Sequence, residues 1–153
     1  MKAVIHQFYD SFSKMDAEGM VNCYHEDIKF EDPAFGKLHG EHAKNMWRLL
    51  CASAKDLSIE ASDFQATNDV GSAHWEAHYT FSQTERKVHN IIEAKFKFKE
   101  GKIIEHIDSF NLHSWATQAM GFKGWLLGGT GFFKKKLHEQ TGRMLEKYEH
   151  HNS

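Results

Sequence analysis

Four consecutive segments in which apolar and polar residues alternate constrain the fold of this chain more than any other feature. They are LSIEASDFQ (57–65), SAHWEAHYTFS (72–82), RKVHNIIEAKFKFK (86–99) and KIIEHIDSF (102–110). Short separators with turn-forming residues, TNDVG, QTE and EG, connect them. Strands joined by such short turns pair with their neighbours in antiparallel orientation. The sequence therefore predicts a curved antiparallel meander with one apolar face.

The alternation assigns most side chains of the meander to a face. The inner face of the second segment carries Ala73, Trp75, Ala77, Tyr79 and Phe81, and that of the third carries Val88, Asn90, Ile92, Ala94, Phe96 and Phe98. The fourth segment has apolar residues on both faces, so the orientation of His106 and Asp108 is left open.

Helical periodicity precedes the meander. Residues 3–15 carry an apolar stripe, and Asp16 is a suitable N-cap for a second short helix that includes Tyr24. A short strand then leads into the loop EDPAFG, where the proline disfavours helix. A third helix begins near Glu41. Two helices, a strand and a further helix are thus expected before the sheet.

Beyond residue 110 the pattern is again helical. A helical turn from Trp115 to Met120 is followed by the glycine-broken stretch GFKGWLLGGTGFF and a helix-like tail. We interpret 1–120 as one domain, 121–149 as a helical flap packed on it and 150–153 as a disordered tail. The pattern leaves open whether the flap plugs or covers a pocket.

These elements predict an α+β fold. A cone-shaped, strongly curved antiparallel sheet packs against N-terminal helices, with an apolar pocket at its open end and a C-terminal helical extension.

The amino-acid composition excludes some classes of binding partner. The chain has 19 basic and 21 acidic residues, without the positive excess that nucleic-acid binding requires. No apolar run approaches the ~20 residues of a membrane span, and the start MKAVIHQFYDSF is unlike a signal peptide. Cys23 and Cys51 lack C-x-x-C spacing and are expected to be reduced thiols. We therefore expect a cytoplasmic protein with neither a nucleic acid nor a membrane as partner.

Two patterns of charged residues resemble binding sites, one for a metal ion and one for a membrane surface, and we favour neither interpretation. His74 and His78 share a strand face about 13 Å apart, too far to hold one ion, so no metal site is expected. Lysines 134–136 beside two phenylalanines suit either an amphipathic membrane-surface helix or a solvated face. Glutamates at 139, 146 and 149 offset the lysines, which favours a solvated face whose apolar side covers the pocket or a partner subunit.

Several strings resemble one family. FEDPAFG, SAHWEAHYTF, RKVHN and GKIIEHIDSFNLHSWATQAMG resemble, in this order and spacing, the nuclear-transport-factor-2-like superfamily and especially its SnoaL-like bacterial members. The resemblance covers essentially the whole chain and assigns residues 1–120 to a SnoaL-like cone-shaped domain. It implies a homodimer and a small lipophilic ligand, with no cofactor.

The resemblance also supplies candidate catalytic residues. Asp32 in EDP resembles the general base of ketosteroid isomerases, and its alternative role is a turn aspartate before proline. Asp108 in HIDSFNL resembles a catalytic aspartate of limonene epoxide hydrolases. His106, two residues earlier, would form with Asp108 either a proton shuttle or a buried hydrogen-bonded pair.

Both enzyme patterns are incomplete in this chain. Phe8 and Ala94 occupy the positions of the isomerase's two oxyanion donors, and neither can donate. The strand SAHWEAHYTFS lacks the Arg-x-Asp pair of the hydrolase. Neither activity can therefore be transferred from the resemblance as it stands.

The predicted ligand contacts are polar handles and aromatic rings on the inner faces. They are Tyr24, Trp75, Tyr79, Asn90, Trp47 and Phe8. The first hypothesis is a protein that binds a small lipophilic molecule in an apolar cavity and acts on it by isomerase-like or hydrolase-like acid–base chemistry. The alternatives are a non-catalytic ligand-binding module and a protein-interaction module.

Overall fold

The computed structural model describes residues 1–152 and contains one six-stranded sheet and six helices in that range. The helices are α1 (Lys2–Ser13), α2 (Ala17–Val21), α3 (Glu41–Ser53), α4 (Leu112–Met120), α5 (Phe122–Leu127) and α6 (Gly131–His151). The strands are β1 (Tyr24–Asp32), β2 (Gly36–His39), β3 (Ser58–Ala66), β4 (Val70–Phe81), β5 (Arg86–Lys99) and β6 (Lys102–Ser109). The predicted α+β architecture is confirmed.

The four alternating segments form the predicted antiparallel meander, β3-β4-β5-β6. The sheet as a whole is mixed, because β1 inserts beside β6 in parallel orientation and β2 pairs with β1 at the edge. The alternating segments and their short turns predicted a purely antiparallel sheet. The parallel pair was missed because β1 and β6 are distant in sequence, and no local pattern encodes such a pairing.

The orientation of β6 is set by its register with β5. Phe96 pairs with His106 and Ala94 with Asp108, which turns His106 and Asp108 toward the helices. An irregularity between Lys97 and Phe98 then shifts the register, so that Ile103 is also buried. The local alternation of β6 is broken for this reason, and only the pairing with β5 resolves it.

One local assignment from the sequence was wrong, and a second was incomplete. The second helix ends at Val21, and Tyr24 begins β1, where it pairs with Ile103 of β6. The EDPAFG loop is a tight turn followed by the short strand β2, with Gly36 at φ +73°. In both places, backbone pairing to β6 or β1 overrides the helical or loop tendency of the residues.

An aromatic core lies between the sheet and the helices. α1 contributes Phe8, Tyr9 and Phe12, and α3 contributes Trp47, whose ring meets that of Phe12 at 5.1 Å. α1 and α3 thus cover the inner face of the sheet at the end where His106 and Asp108 lie.

The C-terminal helices cover the other end of the inner face. α4 packs Trp115, Ala116 and Ala119 against Val88 of β5, and α6 adds Leu137 to the same cluster. α6 continues through His151, so the two histidines assigned to a disordered tail belong to a helix. Among the described residues, no helix is long and apolar enough to cross a bilayer.

Candidate functional site

A hydrogen-bonded chain of five side chains runs through the core. The Trp47 Nε1–H donates to the Tyr24 hydroxyl oxygen at 2.8 Å, and that hydroxyl lies 2.7 Å from His106 Nδ1. His106 Nε2 lies 2.9 Å from Asp108 Oδ1, which also accepts from Trp75 Nε1–H at 3.2 Å. His106 is fully buried and Asp108 is 3% exposed. The two side chains, whose orientation the sequence left open, therefore form a buried hydrogen-bonded pair on the inner face.

In one arrangement of protons, every side chain of this hydrogen-bonded chain has a donor or an acceptor as its partner. Since Trp47 can only donate, the Tyr24 oxygen accepts from it and the Tyr24 O–H donates to His106 Nδ1. The neutral imidazole then carries its proton on Nε2 and donates it to Asp108. Burial raises the pKa of Tyr24 well above its usual value, which keeps this phenol protonated.

Asp32 holds the turn after β1. Its Oδ1 accepts the backbone N–H groups of Ala34 and Phe35 at 2.9 and 2.6 Å, so the turn role foreseen for this residue is present. Burial raises the pKa of Asp32 to about 7, the Phe35 hydrogen bond opposes the rise, and the Asp108 carboxylate adds to it. Asp32 thus both stabilises the turn and carries a carboxyl group with a raised pKa.

The two carboxyls lie on neighbouring strands. β1 and β6 pair with Phe30 beside His106 and Glu31 beside Ile107, and the next residues in this parallel register are Asp32 and Asp108. Adjacent strands are about 4.8 Å apart, which explains why Asp108 raises the pKa of Asp32. Within residues 1–152, the Oδ2 atoms of both carboxyls accept no hydrogen bond.

Sequence reasoning missed Tyr9, the third polar group at this place. Its hydroxyl is buried and has no hydrogen-bond partner among the described residues. Burial, and after it the Asp108 carboxylate, raises the pKa of Tyr9 well above its usual value. The residue was assigned to the apolar stripe of the first helix, and only its position opposite Trp75, at 6.1 Å between ring centroids, reveals the orphaned hydroxyl.

The predicted ligand contacts have separated roles. Phe8 packs edge-on against His106 at 5.4 Å and is a core residue. Tyr79 accepts from Trp115 Nε1–H at 2.6 Å, in the cluster under α4 rather than at the carboxyls. Asn90 is partly buried on the inner face of β5, and its amide has no partner among the described residues. Tyr24, Trp47 and Trp75 belong to the hydrogen-bonded chain.

The C-terminal helix covers the Asp32 turn. His138 Nε2–H donates to the carbonyl oxygen of Pro33 at 2.8 Å, and the Thr141 hydroxyl donates to that of Ala34 at 3.0 Å. The turn that Asp32 holds is therefore tied to α6. The residues of α5 do not plug the interior: Trp125 and Phe122 project into solvent.

Two open grooves lie away from the carboxyl pair. One of about 640 Å³ runs along the outer face of the sheet beside Lys95, Lys97, Glu105 and Ile107. The other lies along α6. Neither is lined by a residue predicted for the site. In the part of the chain that the structure describes, no group of three or more His, Cys, Asp or Glu side chains is arranged to bind a metal.

Comparison with known families gives one match. The model of the SnoaL-like domain family matches residues 5–106, two thirds of the chain and all elements from α1 to His106 of β6. A comparison with curated protein sequences gives no significant match.

Solved structures share the fold at low sequence identity. A protein of the nuclear-transport-factor-2-like fold from Burkholderia pseudomallei has a TM-score of 0.67 at 13% identity, over 77% of this chain and 95% of its own. A ketosteroid-isomerase-like fold from Catenulispora acidiphila, in complex with trimethylamine, has a TM-score of 0.66 at 11% identity, over 76% and 91%. SalBIII, an epoxide hydrolase/cyclase-like enzyme of pyran ring formation, has a TM-score of 0.63 at 15% identity, over 74% and 92%.

Proposed function

This chain belongs to the SnoaL-like domain family, and from that premise we propose that it binds a small lipophilic molecule beside Asp32 and Asp108 and exchanges a proton with it. One observation carries the proposal. Within residues 1–152, the Tyr9 hydroxyl is the one buried side-chain polar atom without a hydrogen-bond partner, and burial, followed by the nearby Asp108 carboxylate, raises its pKa. Buried polar groups left unpaired by the protein are places where a ligand or a water binds.

The chemistry follows from the two carboxyls. Ionised Asp32 is the general base, because a pKa of about 7 gives it both sufficient basicity and a large ionised fraction near neutral pH. Tyr9 stays protonated, and its O–H is a hydrogen-bond donor for an oxygen of the bound molecule. Asp108, held by Trp75 and His106, is a positioning residue that keeps the pKa of Asp32 raised.

The test uses 5-nitrobenzisoxazole, a small aromatic compound. A carboxylate base removes its carbon-bound proton, the N–O bond breaks, and an absorbing phenolate forms. We expect turnover to rise with pH through about 7. Asp32→Asn keeps the turn oxygen and removes the base, so turnover falls by about 100-fold or more.

Two further variants make the result specific. Glu31→Gln changes a neighbouring carboxyl on the opposite face of β1, whose charge is the smallest of the causes that raise the pKa of Asp32, so turnover at pH 8 stays near the wild-type value. Asp108→Asn keeps an acceptor for Trp75 and His106 but removes the charge, so the midpoint of the pH profile moves to lower pH. Wild-type turnover in Asp32→Asn would contradict the proposal.

A non-catalytic binding module is the second candidate. The chain from Trp47 to Asp108 is complete within the protein, as expected of a network that only stabilises the core. Binding of 5-nitrobenzisoxazole without conversion, measured by its effect on the thermal midpoint of unfolding, would favour this candidate.

We also keep the homodimer implied by the family resemblance. Ile91 is 53% exposed in the middle of the outer face of β5, where an apolar side chain suits a subunit contact. Ile91→Glu is expected to convert a dimer into a monomer in light scattering after size exclusion. A monomeric wild-type protein would contradict the expectation.

We propose that the protein is located in the cytoplasm. Cys23 and Cys51 are free thiols, and burial raises the pKa of each to about 11. Such thiols persist in a reducing compartment and react slowly there. Maleimide is expected to label Cys23 and Cys51 only after the protein is unfolded. A disulfide in protein isolated from cells would argue against a cytoplasmic location.

A further inference from the structure

The corner between α5 and α6 exposes an apolar cluster that the site does not use. Its members are Phe122, Trp125, Leu126, Leu127 and Phe132, of which Phe122 is 74% and Phe132 65% exposed. We call these five residues the corner patch. Folded domains that expose several large apolar side chains together use them for an interaction. The corner patch lies beyond residue 106, where the match to the family model ends.

Glycines hold the corner patch outward. Gly124 packs so closely on α4 that a Cβ there would lie 1.8 Å from the carbonyl oxygen of Ala116. Gly128, one turn later, meets the Ala116 side chain in the same way. Because this face of α5 is fixed against α4, the opposite face with Phe122, Trp125 and Leu126 is directed to solvent.

The surroundings of the corner patch are basic. Residues 121–136 contain four lysines, Lys123, Lys134, Lys135 and Lys136, and no acidic residue. The Arg86 guanidinium lies at the other end of α5, against Gly121. Lys136 Nζ lies 5.6 Å from the centre of the Phe132 ring, so apolar and cationic groups are mixed.

The glutamates of α6 do not neutralise these lysines as the sequence analysis expected. Glu149 is about 20 Å along the helix from Lys135, and its carboxylate binds His42 and Asn45 at the far end. Glu146 also lies in that half of α6. Such separations exceed the ~10 Å over which exposed charges interact in salt. Only Glu139 lies within a turn of the lysines.

We propose that the corner patch binds the surface of a bilayer that contains anionic phospholipids. Phe122, Trp125 and Leu126 enter the boundary between headgroups and acyl chains, and the lysines contact the phosphates. Tryptophan favours this boundary, since its ring is apolar and its N–H is polar. Charge selects the partner: a second copy seated on the patch would bring lysines against lysines, whereas an anionic bilayer complements them.

The experiment is co-sedimentation of the full chain with vesicles of phosphatidylcholine alone and of phosphatidylcholine mixed with phosphatidylglycerol. Binding is expected only to the mixed vesicles and weakens with salt. The variant with Lys134, Lys135 and Lys136 changed to Ala loses about fivefold in partitioning for each lysine, on the order of 100-fold in all. The control variant changes Lys95, Lys97 and Lys99 of β5 to Ala and retains binding.

Trp125 reports the depth of insertion. It is 56% exposed, whereas Trp47, Trp75 and Trp115 are buried, so brominated lipid in the mixed vesicles quenches chiefly Trp125. Phe122→Ser/Leu126→Ser abolishes quenching and sedimentation, while Val70→Ser/Met144→Ser, which alters two other exposed apolar side chains, abolishes neither.

Three outcomes would overturn the proposal. They are equal binding to both vesicle types, equal binding of the two lysine variants, and self-association without vesicles that Phe122→Ser/Leu126→Ser abolishes. The last would assign the corner patch to a second copy.

Discussion

A carboxylate that is 3% exposed requires compensation for its charge, and at Asp108 the Trp75 and His106 N–H groups provide it through one oxygen. Asp32, its neighbour across the strand pair, is compensated by backbone N–H groups and is less buried. Burial raises the pKa of Asp32, and the negative charge of Asp108 on the neighbouring strand adds to the rise. The difference between the two carboxyls is therefore a property of single residues and their donors.

The pKa of Asp32 predicts how stability depends on pH. A folded pKa of about 7, above the ordinary value of 3.8, means that the folded chain holds a proton that the unfolded chain has lost between these values. The free energy of unfolding therefore falls as pH rises from about 4 to 7. Asp32→Asn preserves the turn and removes the titrating group. At pH 8 the free energy of unfolding of this variant is therefore expected to be higher than that of the wild type by about 1–3 kcal/mol, a range already reduced for the partial exposure of Asp32.

Urea unfolding at several pH values measures this effect. The variant and the wild type should converge near pH 3, below the ordinary pKa of 3.8, where Asp32 is protonated in both states. A constant difference from pH 4 to pH 8 would contradict a raised pKa.

Two tyrosines provide a matched pair of variants. Tyr24→Phe deprives Trp47 Nε1–H of its acceptor and His106 Nδ1 of its donor, which lowers the free energy of unfolding by roughly 2–4 kcal/mol. Tyr9→Phe removes a hydroxyl that has no protein partner, so stability is unchanged or rises by up to about 1 kcal/mol.

The same pair separates stability from function. In the proposed function Tyr9 donates to the bound molecule, so Tyr9→Phe lowers turnover of 5-nitrobenzisoxazole without loss of stability. Urea unfolding and initial rates on one preparation provide both values. Strong destabilisation by Tyr9→Phe would indicate that its hydroxyl has a structural partner.

The orientation of some helices and strands depends on the elements packed beside them rather than on their own residue pattern. β6 is read correctly only from its register with β5, since its own alternation is broken near Ile103. α5 is a six-residue helix whose glycines, rather than a buried apolar stripe, fit it to α4. At the scale of the element, close backbone approach is as decisive as hydrophobic pattern.

Gly124 tests this close approach. A Cβ at Gly124 would collide with the backbone of Ala116, so Gly124→Ala lowers the free energy of unfolding by about 1–3 kcal/mol. The control is Gly142→Ala in α6, where a Cβ would meet nothing within 4 Å, and there stability rises by about 0.5–1 kcal/mol. Thermal unfolding of the two variants checks both signs, and a neutral Gly124→Ala would refute the tight packing of α5.

The whole molecule combines a sheet that is held by many strand pairs with a long helix that is held by few buried side chains. Of the 21 residues of α6, the buried ones are Leu137, Thr141 and Leu145. Since α6 is hydrogen-bonded to the Asp32 turn, we expect that a molecule from solvent reaches the carboxyls when α6 detaches.

Hydrogen exchange measures that detachment. Amides of α6 are expected to exchange faster than those of β4 and β5, because α6 opens at a smaller free energy than global unfolding. Thr141→Val removes the hydrogen bond to Ala34 at nearly constant volume and accelerates exchange in α6 by about fivefold, the equivalent of ~1 kcal/mol. Equal protection of α6 and β5 would contradict an independently opening helix.

The sequence by itself determined the meander, the helices and the family. Alternation and helical periodicity are local, and the residues that encode them are close in the chain, so β3 to β6, α1 and α3 were predicted, as was the SnoaL-like resemblance. Asp32, His106 and Asp108 were selected from short motifs, and the structure brings them to one pair of strands.

Only the tertiary structure decided the rest. The parallel pairing of β1 with β6, which makes neighbours of Asp32 and Asp108, joins segments some 75 residues apart and leaves no local trace. The unpaired hydroxyl of Tyr9 is invisible in a sequence, because an apolar stripe uses the ring and says nothing about the oxygen. Whether α5 would plug the interior or face solvent depended on packing against α4, which is a contact between surfaces and not a pattern of residues.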